Sequence, residues 1–261
     1  MLKFTTHTWA LLLIWLLAGL APAWAQRVAA GGNHTVSIHA DGTLWAWGLN
    51  GQGQLGIGSL TYQTKPVQVG TDTNWQSVAT GQFHTVALRT DGTLWAWGNS
   101  NYGQVGNGTT TNQLTPVQIG TATDWVSVAA GYNHTLALRQ DGTLWAWGQN
   151  NNGQLGTGTT TYQLTPVQVG TATTWQRIAG GVGHSAAVRT DGTLWVWGNN
   201  SSGQLGNGST TGQLTAPTQV GTATTWSSVA TGSTHTVALR TNGTLWAWGG
   251  NALPGSGGAY L

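Results

Sequence analysis

Cysteine and glutamate are both missing from the 261 residues, and only 5% of the chain is charged. Without a thiol there is no disulfide, no thiolate metal ligand and no cysteine nucleophile. The six acidic residues are all Asp, set against eight Lys and Arg, for a formal net charge of +2. The basic residues are scattered, so the phosphate-neutralising term that dominates nucleic-acid binding is missing and no nucleic-acid partner is expected. The isoelectric point near 9.2 reflects few carboxylates, not a basic field.

Long apolar runs are also lacking. Trp9 to Leu20 is a short one, preceded by Lys3 and followed by Ala23-Trp24-Ala25, the pattern of a secretory leader with an Ala-x-Ala cleavage site. Residues 1–25 are expected to be a signal peptide, 26–249 a repeat domain and 250–261 an irregular tail. No other stretch approaches the ~20 apolar residues of a spanning helix. The processed chain is therefore expected to carry no membrane span and to be secreted, periplasmic or at the cell surface. With no disulfides, its stability must come from packing, which a chain of this length can supply.

What the sequence has in plenty is tryptophan, 17 of them, and glycine, 41. Their distribution is periodic. His34, His84, His134, His184 and His235 each sit in a Gly-x-x-His-Ser/Thr frame, followed by Asp/Asn-Gly-Thr-Leu-Trp-x-Trp-Gly. A repeat of about fifty residues is one supersecondary unit that must stack on its neighbours to bury its apolar faces.

Each unit predicts four short strands: in the second, Trp75 to Ala79, His84 to Arg89, Thr93 to Trp97 and Pro116 to Gly120. Gly, Asn, Asp and Thr fill the gaps and no helical period is present, so the class is all-β. Asp91-Gly92 suits a tight hairpin in which both positions tolerate positive φ, and Asn242-Gly243 replaces it in the fifth unit. The aspartates are thus read as turn residues. Alternation puts Trp95 and Trp97 on one face and Leu94 and Ala96 on the other. A sheet apolar on both faces must be covered on both, which radial stacking of blades achieves, the Trp pair set against small residues such as Ala87 of a neighbour. The tryptophans are read as core.

The frame from Gly131 to Gly156, Gly-x-x-His-Thr-x-Ala-Leu-x-x-Asp-Gly-Thr-Leu-Trp-x-Trp-Gly-x-Asn-x-x-Gly-Gln-Leu-Gly, resembles the repeat of the regulator of chromosome condensation family of β-propellers. The resemblance runs over nearly all of residues 27–249. It implies four-stranded antiparallel blades, usually seven to a ring. Five are present here, and the fifth lacks a fourth-strand signal because the tail abandons Gly-Gln-Leu-Gly. Either a five-bladed ring closes imperfectly or the chain is a fragment of a larger propeller.

Several motifs have plain structural readings. Gly51, Gly53 and Gly56 fit a dinucleotide fingerprint, but no helix follows and the first glycine becomes Asn101, Asn151 and Ser201 in later units. One histidine per unit is far from metal-ligand spacing and reads as support for a repeated turn, so no metal is expected. Arg89, Arg139, Arg189 and Arg240 stand two residues before the turn Asp or Asn, where a solvated local pairing is expected. No paired carboxylates and no nucleophile with its base are brought together, so neither an enzyme nor a cofactor is expected.

Antiparallel connectivity puts the Gly-x-x-His turns and the loops after Trp-Gly on one face and the Asp-Gly turns on the other. The first face varies between units. Asn33, Phe83, Tyr102, Tyr132 and Asn133 are the candidate binding residues there, aromatics being frequent interface anchors. The expected function is an exported module that binds a protein or a surface polysaccharide. The resemblance offers a precedent, an exported bacterial member that inhibits β-lactamases through its loop face. It also implies an alternative, nucleotide exchange on a small GTPase. A structural repeat segment of a larger surface protein is a further reading, and the unpaired edge of the fifth unit makes self-association possible.

Overall fold

A computed structural model describes residues 28–250; the expected leader and all but the first residue of the expected tail lie outside that range. The described residues form nineteen strands and no helix. The first blade holds β1 (Val28–Ala30), β2 (His34–Ile38), β3 (Leu44–Gly48) and β4 (Gln63–Gln68). The second holds β5 (Trp75–Thr80), β6 (His84–Arg89), β7 (Leu94–Gly98) and β8 (Gln113–Gln118). The third holds β9 (Trp125–Ala130), β10 (His134–Arg139), β11 (Leu144–Gly148) and β12 (Gln163–Gln168). The fourth holds β13 (Trp175–Gly180), β14 (His184–Arg189), β15 (Leu194–Asn199) and β16 (Gln213–Gln219). The fifth holds β17 (Trp226–Thr231), β18 (His235–Arg240) and β19 (Leu245–Gly249). Every blade is an antiparallel meander in chain order, and the fifth has three strands among the described residues.

The hairpin between the second and third strands differs from the expected one. Gly92 has a φ of 76°, but no residue other than glycine has a positive φ, Asp91 included. Gly92 N donates to Arg89 O and Arg89 N to Thr93 O, closing a three-residue loop with the left-handed residue last. Asp91 acts through its side chain instead. Its Oδ1 accepts from Thr93 N at 3.0 Å and Thr93 Oγ1 at 2.6 Å, and Thr93 Oγ1 in turn accepts from Trp95 Nε1 at 2.9 Å. Asn242 Oδ1 holds Thr244 in the same way. The fourth strand runs from Gln113 to Gln118, earlier than expected, pairing Gly98 with Gln113 across a register shift between Ala96 and Gly98. It carries Pro116, which an outermost strand tolerates because one edge needs no donor.

Packing is face to face between consecutive blades. Val86, Leu88, Leu94 and Ala96 of the second blade are buried together with Trp125, Ala137 and Trp147 of the third, and the contact recurs between the third and fourth. The tryptophan pair therefore rests on the aliphatic face of the preceding blade. Ala87 is not a neighbour's residue but the cross-strand partner of Trp95 within its own blade, where its small side chain leaves room for the indole. Trp75 meets Trp95 and Trp97 edge to face, with centroids 6.1 and 5.9 Å apart. Among the described residues the buried clusters join each blade to the next and none joins the fifth to the first.

Candidate functional site

The loop face is built on a polar relay that the sequence hides. His34 Nε2 lies 3.0 Å from Thr85 Oγ1 in the next blade, and the contact recurs as His84 with Thr135, His134 with Ser185 and His184 with Thr236. Thr85 Oγ1 donates to the Gln54 carbonyl at 2.9 Å, so its lone pair is left for the imidazole and the histidine carries its proton on Nε2. The same carbonyl accepts Trp97 Nε1 at 3.0 Å. These histidines bridge blades, and each ring also packs against the first glycine of its own turn. Burial pushes His84 and His134 down to about 3 and His34 and His184 to about 4, which keeps the rings neutral. Glycine opens the frame because nothing larger fits: a Cβ on Gly81 would come within 2.2 Å of His84 Cε1 and 2.5 Å of the Gly131 carbonyl.

The loop after the third strand reaches over the following blade. Gly58 N donates to Leu114 O, and Gly108 N to Leu164 O, each at 2.9 Å. The variable side chains are thus displayed from pinned backbone. A cavity of about 470 Å³ opens at the channel mouth between the Gly-x-x-His turns, which are tied to one another by Gln82 N donating to Tyr132 O at 3.1 Å and Tyr132 N to Gly181 O at 3.0 Å; it is lined from all five blades and by uncharged residues throughout. Gly32, Gln82, Tyr132, Val182 and Ser233, the first variable position of each unit, form its rim together with Asn33.

The five expected binding residues fall in different places. Asn33 and Tyr132 are exposed at the mouth, Tyr132 by 37%. Phe83 and Asn133 are half-buried and do not line it. Asn133 is held by the framework, its Nδ2 donating to Gln149 Oε1 at 3.1 Å. Tyr102 lies off the mouth, edge to face with Tyr162 of the next blade at 5.4 Å. Tyr162 was missed by the sequence reading. The signal was its offset: Gln52 and Asn112, also sixty residues apart, make the equivalent contact as a 2.8 Å hydrogen bond.

The opposite face is less uniform than its repeated turns suggest. Cavities of about 480 and 580 Å³ open there between the second and third and between the third and fourth blades, with the exposed Val126 lining both. Arg89, Arg139 and Arg189 act on the turn aspartates Asp91, Asp141 and Asp191 only through space, and the close ion pairs are made elsewhere. Arg89 lies over Trp95 at 3.7 Å and Trp75 at 4.6 Å and pairs with Asp72; Arg139 lies over Trp145 and Trp125 and is 3.6 Å from Asp124. In the first blade His39 takes this place, stacked on Trp45 at 5.0 Å.

Two family models described as regulator of chromosome condensation (RCC1) repeat match the chain. One covers residues 41–88, 91–138, 141–188 and 191–239, the other 26–54, 75–104, 125–154, 175–204 and 226–253. The first model's unit begins at the turn of one blade and ends one residue before the end of the second strand of the next, so it spans the blade interface. Among solved structures, human WBSCR16 aligns over 86% of this chain and 62% of its own, at 26% identity and a TM-score of 0.77. Yeast RCC1 (Prp20), solved with Kap60, aligns over 85% and 55%, at 25% identity and 0.76. Prp20p of Saccharomyces cerevisiae, described with binding to Gsp1p and histones, aligns over 85% and 57%, at 27% and 0.75. The ultraviolet-B receptor UVR8 of Arabidopsis thaliana is 38% identical over 53 residues, 20% of this chain and 12% of that protein. The chain thus spans less than two thirds of these relatives. With the repeat models matched through most of its length and the same blades beneath them, the chain belongs to the regulator of chromosome condensation (RCC1) repeat family of β-propellers.

Proposed function

We propose that this propeller is an exported binding module whose loop face engages a protein. The observation that carries the reading is the channel mouth, where the equivalent turns of five blades present a glycine and four different side chains, Gln82, Tyr132, Val182 and Ser233, around an uncharged cavity. Such a site offers backbone and amide hydrogen bonds with tyrosine and valine contacts, which suits a polypeptide loop. Prp20p, described with binding to Gsp1p and histones, supports a protein partner in the family. A surface polysaccharide is the alternative ligand, and export rests on the leader-like residues 1–25. Nucleotide exchange and a purely structural role remain the competing readings.

Comparative affinity capture tests the proposal. The chain is immobilised as wild type, as Tyr132→Ala and as the turn-face variant Val126→Asp, and exposed to the extracellular fraction of its source. A protein retained by wild type and Val126→Asp but lost by Tyr132→Ala supports the loop face. Loss with Val126→Asp alone assigns binding to the turn-face clefts. Retention of a small GTPase with accelerated nucleotide release favours exchange, and retention of nothing favours a structural role.

A further inference from the structure

The two clefts of the turn face carry opposite charge. In the first, of about 480 Å³ between the second and third blades, the charged lining residues among those described are Asp91 and Asp124. The second, of about 580 Å³ between the third and fourth blades, is lined by Arg139 and Arg177 together with Asp141. The turn aspartates recur at Asp41, Asp91, Asp141 and Asp191, so they distinguish no cleft from another. Asp124 and Arg177 do. Asp124 stands where other units have Asn74, Thr174 and Thr225, and Arg177 where the second, third and fifth units have Ser77, Ser127 and Ser228; Arg27, its equivalent in the first, lies outside the described residues. Asp124 is 3.6 Å from Arg139, too far for a hydrogen bond, and its side chain stays 41% exposed. The clefts share one wall: Val126, Ser127 and Val128 of β9 and Gln140 line both. Trp125 and Trp175 also line them but are only 3% and 4% exposed, so no indole face is offered to a sugar ring.

We propose that the paired clefts form a site for a polypeptide segment bearing one basic and one acidic side chain. The basic side chain enters the first cleft beside Asp124, the acidic one enters the second beside Arg177, and the backbone between them crosses Val126. Packed sheets lie ~10 Å apart, which three residues of extended chain span at ~3.3 Å each. The two charges of the segment are therefore three residues apart. Ser127 and Gln140, on the wall common to both clefts, supply a hydroxyl and an amide for the backbone that crosses it. Ion pairs in partly solvated positions govern the choice of partner more than the strength of binding, so the segment is held weakly and selected by the order of its charges. The site is independent of the channel mouth, which opens on the opposite face.

The test is a nuclear magnetic resonance titration of the full-length chain with acetyl-Lys-Gly-Gly-Asp-amide, read at the backbone amides of Ser127 and Gln140. A saturable shift is expected. Acetyl-Gln-Gly-Gly-Asp-amide and acetyl-Lys-Gly-Gly-Asn-amide each lack one charge and should bind about threefold more weakly or worse, as the loss of one partly exposed ion pair implies. Asp124→Thr and Arg177→Ser copy what Thr174 and Ser127 already supply in neighbouring units, so the β-type circular dichroism spectrum should be unchanged. Asp124→Thr should bind the Lys and Gln peptides alike while still preferring Asp to Asn, and Arg177→Ser should do the reverse. Tyr132→Ala, at the channel mouth, should bind all three peptides as wild type does. Three results overturn the proposal: no saturable shift with the doubly charged peptide, a charge preference that survives both cleft substitutions, or one that disappears with Tyr132→Ala.

Discussion

His84 Nε2 and Thr135 Oγ1 stand 3.1 Å apart across the boundary between the second and third blades, and the Thr135 hydroxyl donates to the Gln104 carbonyl at 2.9 Å. Trp147 Nε1 shares that carbonyl at 3.0 Å. Three elements of two blades meet at one oxygen, so loss of the hydroxyl strands a buried imidazole N–H. Thr135→Val is expected to cost about 1–3 kcal/mol, the range for an unsatisfied buried donor. Urea unfolding checks this, and a change below about 0.5 kcal/mol would remove the relay from the account of stability.

The same histidines set an acid limit. Their folded values lie at about 3 to 4 against 6.5 for the free side chain. Below 6.5 the unfolded chain takes up protons that the folded chain refuses, so this stability is complete above that pH and is lost as the pH falls toward 4. The slope is at most about 1.4 kcal/mol per pH unit for each histidine. Urea midpoints at pH 7.5, 5.5 and 4.5 should fall in that order; a flat profile contradicts neutral buried rings.

Asp91→Asn should leave stability nearly unchanged, because Asn242 Oδ1 already makes both bonds to Thr244, at 3.1 and 2.7 Å. Asp91→Ala removes the acceptor and should cost about 1 kcal/mol. Thermal melts of the two variants separate a carboxylate requirement from an acceptor requirement.

Arg89→Ala should destabilise by about 1–2 kcal/mol through loss of its place over Trp75 and Trp95. Asp72→Asn should cost less than about 1 kcal/mol, since half of that side chain is solvated. Equal losses from the two would shift the weight from the indoles to the ion pair.

The strands and blades were legible because every unit repeats the same alternation: Leu94 and Ala96 to one side, Trp95 and Trp97 to the other. The interface chemistry was less so. His34 and Thr85 are 51 residues apart, and no spacing rule within one unit says that a histidine reaches the hydroxyl of the next. Arg89 was misread for a related reason. Its nearest acid along the chain, Asp91, is turned into the hairpin, while Trp75 and Asp72 arrive from the strand and connector before it. In the candidate site Tyr132 was found by its variability, and Tyr162 was not, because its partner Tyr102 lies in another blade.

The central claim is that the mouth of the channel carries recognition, and the affinity of a captured partner for single-residue variants tests it most directly. By isothermal calorimetry Tyr132→Ala should bind at least tenfold more weakly, about 1.4 kcal/mol, with its melting temperature kept. Val126→Asp on the turn face should bind as wild type does. Unchanged affinity for Tyr132→Ala together with a tenfold loss for Val126→Asp would place recognition on the opposite face and contradict the account.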